Sequence, residues 1–382
     1  MGKTCVDVFF ELVRAGLWGT EAQLASYGEI DFEEVYRLAQ EQSVVGMLAA
    51  GLEHVTDVKV PQTLALTVAG EVLQLEQRNR AMNQFVARLM ADMRKAGINT
   101  LLVKGQAVAQ CYEKPLWRAC GDVDFFLSDD NYEKAKAFLI PMASDVETEY
   151  VGAKHLGMTI NGWVVELHGR LCGGLSPKIE RELDDVYVDT FNGGNVRSWD
   201  NNGVLVFQLG IENDVFYVFT HILQHFYKEG VGLRQICDWC RLLYTYKDSL
   251  DLRLLEQRIR KAGLMSEWRA FGAFAVEYLG MPIEAMPFLK VTGKKENGRG
   301  EIDARLRRKA DKICKFIMEV GNFGHNRDTS YYGKYPFIVR KSISAWWRVK
   351  DLCRHAMIFP WDSLRFFPHI MLNGMKSAVR GE

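Results

Sequence analysis

Two aspartates that are two residues apart, Asp122 and Asp124, lie in the apolar stretch 121–127. Alternate side chains of a β-strand point to the same face, so a strand here would present both carboxylates together. Neighbouring carboxylates repel each other unless a cation lies between them. Carboxylate oxygens are ligands that suit Mg²⁺, usually together with substrate phosphates. The pair therefore predicts a site for Mg²⁺ or Mn²⁺, and a solvated strand edge is the plain alternative.

A third acid, Glu166, lies in residues 163–168, where apolar and polar side chains alternate as in a half-buried strand. The same alternation places His168 on the face of Glu166. If this strand lies beside the strand of Asp122, Glu166 completes a cluster of three carboxylates. Such a cluster can hold one or two Mg²⁺ ions that bridge phosphate oxygens during an in-line displacement. An exposed hairpin face is the alternative for Glu166 and His168.

Lys104 and Gly105 form a turn between a short apolar segment and the aspartate pair. The missing side chain of Gly105 would let a backbone N–H group approach a triphosphate closely. Lys104 and Arg118 are the cations nearest in sequence that could neutralise phosphate charge. The turn is thus a predicted phosphate-binding element.

These segments resemble the nucleotidyltransferase fold of the DNA polymerase β superfamily, and most of all its bacterial NTP_transf_5-like branch of uncharacterised nucleotidyltransferases. The resemblance implies metal-dependent transfer of a nucleoside monophosphate from a nucleoside triphosphate to an acceptor hydroxyl. It implies catalytic and metal-binding roles for Asp122, Asp124 and Glu166, with Glu166 as a metal ligand or as a base. It implies nucleotide binding by Lys104, Gly105, Arg118, Gly121 and His168.

Two features depart from the pattern of the superfamily. The turn is Lys104–Gly105, whereas Gly-Ser or Gly-Gly is usual, and a long segment separates it from the aspartates. The third acid is Glu166, whereas aspartate is commoner. A non-catalytic module of the same fold, which binds a nucleotide or a partner in a regulatory or antitoxin-like way, is therefore the alternative function.

The pattern of apolar residues predicts an α+β fold in three parts. Residues 1–95 read as helices, residues 96–200 as a nucleotidyltransferase-like core with a small mixed sheet, and residues 201–382 as helices again. A long helix over 62–96 should end at Gly97. Asn161–Gly162 is a strong signal for a hairpin turn. We also expect a strand over 147–151, an exposed polar loop over 291–301 and an aromatic tail over 359–368 that its prolines interrupt.

Composition limits the function further. Lysine plus arginine and aspartate plus glutamate both number 48, so a zero net charge argues against long nucleic acid as the partner. The charge balance favours a small molecule or a protein side chain as acceptor, and we take ATP as the first choice of nucleotide. Eight cysteines without a framework spacing and no recognisable export signal predict the cytoplasm. No apolar run reaches the roughly 20 residues that a membrane span needs.

Residues after 211 offer weaker signals. His221 and His225 have metal-ligand spacing on a predicted helix, but packing is the plainer reading. Arg234 and Asp238, also four apart, could pair on one helix face or contact a nucleotide.

Cys237 and Cys240 form a Cys-x-x-Cys motif inside an apolar helical stripe, which indicates core packing.

Overall fold

The computed structural model describes residues 3–294, 300–324, 326 and 336–379. The N-terminal helices are α1 (Lys3–Trp18), α2 (Phe32–Glu41), α3 (Val45–Leu52) and α4 (Gln62–Lys95). The middle of the chain forms β1 (Leu101–Val103), α5 (Gly105–Ala109), β2 (Asp122–Phe126), α6 (Asp129–Leu139), β3 (Asp145–Val146), β4 (His155–Ile160), β5 (Trp163–His168), α7 (Pro177–Phe191), β6 (Val196–Asn201) and β7 (Val204–Leu209). The remainder forms α8 (Ile211–Lys228), α9 (Leu233–Thr245), α10 (Leu252–Ala262), α11 (Met265–Leu279), β8 (Val291–Lys294), β9 (Gly300–Ile302), α12 (Ala304–Val320), α13 (Phe337–Ala356) and α14 (Pro360–Val379).

The predicted α+β class is confirmed, because a small mixed sheet lies between helices at both ends of the chain. Its strand order is β1-β2-β5-β4-β3. Only β2 and β5 run parallel; the other pairings in this sheet are antiparallel. No helix in the described residues is long and apolar enough to cross a membrane.

The hairpin between β4 and β5 fixes the register on one side of the sheet. Asn161 and Gly162 both have positive φ, 51° and 79°, as a two-residue turn between antiparallel strands requires. Ile160 therefore pairs with Trp163, and each step outward along the strands leads to His155 opposite His168.

The two faces of the sheet differ in polarity. Val123 and Phe125 of β2 and Val165 and Leu167 of β5 lie on one face, in a core with side chains of α4 and α6. Because side chains alternate along a strand, the acids of β2 and β5 lie on the opposite face. That face points toward α8, so the helices after residue 211 complete the surroundings of the polar side chains.

Helix α4 joins two cores. It has 34 residues and ends at Lys95, with Ala96 as the C-cap residue, after which Gly97 has a φ of 73°. Its first half buries Leu64 and Val68 against the N-terminal helices, and its second half buries Met82 and Val86 under the sheet. The predicted helix over 62–96 is confirmed, and so is its stop at Gly97.

The N- and C-terminal helices share one large apolar core. Phe10 of α1 contacts Phe274 and Tyr278 of α11, and Trp18 contacts Tyr244 of α9. The three-part division at 1–95, 96–200 and 201–382 stays a prediction.

Three local predictions need correction. The strand expected over 147–151 is wrong: β3 covers only Asp145–Val146, and Lys154 in the left-handed region (φ 47°) turns the chain just before β4. The polar segment 291–301 contributes β8 and β9, and its residues 295–299 lie outside the described part. The tail over 359–368 lies at the start of α14, because Pro360 occupies the first helical position, where no amide hydrogen is needed.

Candidate functional site

Three carboxylates lie on one face of the sheet. Asp124 of β2 pairs in register with Glu166 of β5, and Asp122 lies one alternate position earlier on β2. Asp124 is 2% exposed, whereas Asp122 and Glu166 are half-buried. The predicted adjacency of the two strands is confirmed.

Asp124 has two close partners. Lys104 Nζ and His168 Nε2 each lie 2.8 Å from Asp124 Oδ1. Burial works against the charged form of both Asp124 and Lys104. Their attraction outweighs it, so the pKa of Asp124 is lowered and the pKa of Lys104 is raised. The site therefore holds an ionised lysine–aspartate pair.

Glu166 is bound by two histidines. Its Oε2 lies 3.1 Å from His155 Nε2 and 3.4 Å from His168 Nε2. The hydrogen bond to His155, followed by the one to His168, lowers the pKa of Glu166. Glu166 is thus a carboxylate of low basicity, which favours a role as ligand over a role as base.

Asp122 has excess negative charge around it. The repulsion of Asp124, and then burial, raise the pKa of Asp122. Its carboxylate makes no hydrogen bond or ion pair to any residue that the structure describes. A carboxylate with these surroundings is a good ligand for an added cation.

The turn at Lys104 and Gly105 has an unusual backbone. Lys104 has φ 55° and ψ −148°, a region that non-glycine residues rarely occupy. Gly105 also has positive φ, and a Cβ there would lie 3.1 Å from Cys120 Sγ. Both features bring the turn close to β2 and direct Lys104 to Asp124. Gly105 borders the cavity described below, and its role in phosphate binding stays a prediction.

The segment before β2 is held by side chains from two helices. Asn79 of α4, fully buried, donates 2.8 Å hydrogen bonds to the carbonyl oxygens of Leu116 and Arg118. Arg234 of α9 donates a 2.8 Å hydrogen bond to the carbonyl of Ala119. Gly121 is exposed next to Asp122.

Arg118 pairs with Asp238 of α9 through two hydrogen bonds. Its Nε lies 3.0 Å from Oδ1 and its Nη2 lies 2.5 Å from Oδ2, and both residues are 5% exposed. The hydroxyl of Tyr112 donates to the same Oδ1 at 2.8 Å. The charge of Arg118 is therefore already matched, and its contact with phosphate stays a prediction. The pairing of Asp238 with Arg234 is wrong, because Asp238 pairs with Arg118.

A cavity that is open to solvent lies between the sheet and helices α8 and α9. Lys104, Arg118, Asp122 and Asp124 line it on the sheet side. His221, Arg234, Gln235, Asp238 and Phe323 are among the residues that line it on the helical side. The site is thus a cleft with acids on one wall and Arg234 on the other.

Arg234 is the least satisfied cation in this cleft. Its Nε is buried without a hydrogen-bond partner, and no carboxylate of the described residues forms an ion pair with it. Burial, together with repulsion by Arg118, lowers its pKa. A buried guanidinium with open donor positions suits a bidentate anion such as a phosphate group.

The two histidines of α8 contact each other. Their Nε2 atoms are 3.0 Å apart, and His221 borders the cleft. Burial and the charge of Lys104 keep the pKa of His221 well below its usual value, so this imidazole is neutral.

The core position of Cys237 and Cys240 is confirmed, since both are fully buried among apolar side chains.

The model of a family described as uncharacterised nucleotidyltransferases, NTP_transf_5, matches residues 28–280. The chain belongs to this family. The match includes every side chain of the acidic face and the two helices α8 and α9. Among curated proteins, none matches the chain. Among solved structures, an antigenic nucleotidyltransferase-like protein from Paracoccidioides brasiliensis is similar, with 14% identity and a TM-score of 0.30 over 48% of this chain and 90% of that one.

In this nucleotidyltransferase family member, the structure brings together Lys104, Asp122, Asp124, Glu166 and His168, as expected from the sequence. Two further residues enter the site: His155, and Arg234, for which the sequence left a nucleotide contact open. Counting outward from Asn161–Gly162 would have placed His155 opposite His168. Nothing local in the sequence shows that Arg234 faces β2, because 110 positions separate it from Asp124 and only tertiary packing joins them.

Proposed function

We propose that this chain transfers a nucleoside monophosphate from a nucleoside triphosphate to an acceptor hydroxyl and releases pyrophosphate. One observation carries the proposal above the others: β2 and β5 run parallel in a register that places Glu166 beside Asp124 and Asp122. Family membership supports nucleotidyl transfer as the chemistry. ATP remains the first choice of nucleotide, and a small molecule or a protein side chain remains the acceptor.

The donor set fits a divalent cation, Mg²⁺ or Mn²⁺. Three carboxylates on one face supply the hard oxygen ligands these ions prefer, and Asp122 has no competing partner within the described residues. Asp122, Asp124 and Glu166 would hold it. When bound, such an ion neutralises phosphate charge and polarises the phosphoryl oxygens. The ammonium group of Lys104, which lies against Asp124, adds positive charge next to these carboxylates.

The cationic wall of the cleft explains how a triphosphate would be oriented. Arg234 lies across the cavity from the acids and has donor positions open. Lys104 lies beside Asp124 and can contact phosphate oxygens when the carboxylate binds a cation. Binding by these two residues would place the α-phosphate over Asp122 and Asp124, which is the positioning that phosphoryl transfer chiefly requires.

The acceptor hydroxyl must lose a proton during the transfer. Glu166 has a lowered pKa, which makes it a weak base. The pKa of His221, which borders the cleft, lies well below its usual value, so this imidazole is a weak base too. We therefore assign Glu166 to cation binding.

A non-catalytic nucleotide-binding module is the second candidate function. It is favoured by the ion pair of Lys104 with Asp124, because this pair competes with metal binding by one of the two aspartates. In such a module the cleft would bind a nucleotide and hold it unchanged.

The test separates binding from turnover. Calorimetry with ATP and Mg²⁺ should show binding, and a pyrophosphate-release assay with a panel of acceptors, together with labelled ATP and a cell lysate, should show transfer. Asp122→Asn should reduce pyrophosphate release at least a hundredfold, whereas Asp248→Asn, in a loop and 87% exposed, should leave it unchanged. Binding without release would favour the second candidate, and absence of both would contradict the proposal.

A further inference from the structure

Two histidines and a glutamate converge next to the aspartates. His155 and His168 face each other across β4 and β5, and Glu166 lies two residues before His168 on the same face. One ligand atom of each of these three residues lies within 4.8 Å of the other two. The imidazole rings tilt toward each other, with centroids 4.8 Å apart.

The distances in this cluster match the edges of a metal coordination sphere. His155 Nε2 and His168 Nε2 lie 3.1 Å and 3.4 Å from one oxygen, Glu166 Oε2. Ligand atoms at about 2.1 Å from an ion and about 90–110° apart lie roughly 3.0–3.4 Å from each other. Two of the three distances between ligand atoms thus match those of ligands of one ion, and the third, between the imidazole nitrogens, is within 4.8 Å.

One nitrogen of the cluster lies between two carboxylates. His168 Nε2 is 2.8 Å from Asp124 Oδ1 and 3.4 Å from Glu166 Oε2. Each oxygen also has a second partner, Lys104 for Asp124 and His155 for Glu166. Since Asp124 keeps Lys104 as its partner, His168 Nε2 can bind an ion together with Glu166 without leaving Asp124 unpaired.

We infer that His155, Glu166 and His168 form a second metal site, which takes a first-row transition ion such as Zn²⁺ or Co²⁺. Imidazole nitrogens select such ions, whereas Mg²⁺ prefers oxygen ligands only. The inference rests on the proposed function only in that Glu166 would be shared by this ion and the one at the aspartates.

The exposure of the cluster indicates an accessible site rather than a closed structural one. The side chains of His155 and Glu166 are 33% and 28% exposed, so an ion can enter from solvent. Three protein ligands leave at least one coordination position open, as in metal sites that bind a water molecule or a substrate. A substrate oxygen, such as the acceptor hydroxyl, is the ligand class that would occupy it.

Co²⁺ titration of the full chain after treatment with a chelator, followed by visible absorption, tests this inference. The wild type should bind one Co²⁺ with visible bands, and a hundredfold excess of Mg²⁺ should not displace it. His155→Gln should weaken binding at least tenfold. His54→Gln, a half-buried histidine outside the cluster, should not change it. Asp122→Asn should change it less than threefold.

Several outcomes would overturn the inference. They are equal Co²⁺ affinity of the wild type and His155→Gln, displacement by Mg²⁺, or a larger loss in Asp122→Asn than in His155→Gln. A second measurement needs no substitution in the cluster: bound Co²⁺ should shift the imidazole proton signals of His155 and His168 and leave those of His54 in place.

Failure here and failure of the proposed function can be told apart. The Co²⁺ titration uses no nucleotide, and the pyrophosphate assay uses Mg²⁺. Pyrophosphate release without histidine-dependent Co²⁺ binding contradicts only the second metal site. Co²⁺ binding without nucleotide transfer contradicts only the transferase.

Discussion

Lys104 and Asp124 form a close ion pair, with Nζ 2.8 Å from Oδ1, at a position where the lysine backbone has a φ of 55°. The pair joins an unfavourable backbone conformation to a nearly buried carboxylate. Such conformations persist where the surrounding structure holds them in place, and they are common at functional sites. Charge and backbone conformation at Lys104 can be separated by two substitutions.

Lys104→Ala removes the charge and keeps the strained backbone, whereas Lys104→Gly removes both. Asp124 then remains buried without its cation, so Lys104→Ala should lose about 3–5 kcal/mol of unfolding free energy. Lys104→Gly should lose about 1 kcal/mol less, because glycine adopts positive φ readily. Urea unfolding measures both. Equal or greater stability of Lys104→Ala relative to Lys104→Gly would show that the backbone conformation is not strained.

Mg²⁺ should rescue part of the stability that Lys104→Ala loses. An added cation at the carboxylates replaces the missing ammonium group, and a ligand that binds the folded state stabilises it by mass action. Unfolding with and without about 10 mM Mg²⁺ should therefore show a larger gain in Lys104→Ala than in the wild type. An equal gain of stability in both proteins would show that Mg²⁺ does not bind at these carboxylates.

Arg234→Ala should weaken ATP binding at least tenfold, or about 1.4 kcal/mol, with a smaller effect on folding. The reason is that this guanidinium has open donor positions in the cleft, whereas the charge of Arg118 is matched by Asp238. Calorimetry with ATP and Mg²⁺ measures the change. Arg253→Ala, an exposed arginine of α10, is the matched control and should bind ATP as the wild type does.

Asp238→Asn should lower the free energy of unfolding. It leaves the 5% exposed Arg118 without its carboxylate, and breaking a buried pair from one side costs about 3–5 kcal/mol. Glu256→Gln breaks the exposed pair with Arg260 on α10 and should cost less than about 1 kcal/mol. Urea unfolding at pH 7 compares the two variants. Similar losses would mean that the Arg118 pair contributes no more than a surface pair.

Glu267 of α11 should make stability depend on pH. It is fully buried, and burial followed by the charge of Asp362 raises its pKa from 4.5 to about 8. Between these values the folded protein keeps a proton that the unfolded chain releases. The contribution of Glu267 is thus fully present below pH 4.5 and is lost as pH rises to 8.

Glu267→Gln should therefore gain stability relative to the wild type, by a few kcal/mol on the order of the pKa shift, as pH rises from 5 to 9. Urea unfolding at about pH 5, 7 and 9 gives the difference at each pH. Glu29→Gln, at an exposed loop position, should follow the wild-type curve. Parallel curves for Glu267→Gln and the wild type would contradict the raised pKa.

Much of the acidic face could be predicted from the sequence because its signals are local. The alternation around Asp122 and Glu166 indicated two strands, and Asn161–Gly162 indicated the hairpin that fixes the register of β5. The same turn also implies the pairing of His155 with His168.

Other features depend on tertiary contacts or on competing local signals. Asp238 lies four residues after Arg234 on α9, which suggests a pair along the helix, but Arg118 is oriented to bind the carboxylate with two nitrogens. Ser176 as N-cap and Pro177 in the first turn are sequence signals for the start of helix α7. The irregular pattern of apolar residues around them makes these signals hard to recognise from the sequence alone.

Helix α4 has a mechanical consequence. Its 34 residues give a rod about 50 Å long, without proline, that is anchored in one core near its start and in another near its end. Asn79, midway along this helix, also donates hydrogen bonds to the segment that leads into β2. One continuous helix therefore links the N-terminal helices to the strand that carries the aspartates, so a ligand or partner that displaces one end of α4 would also alter the geometry at the other end.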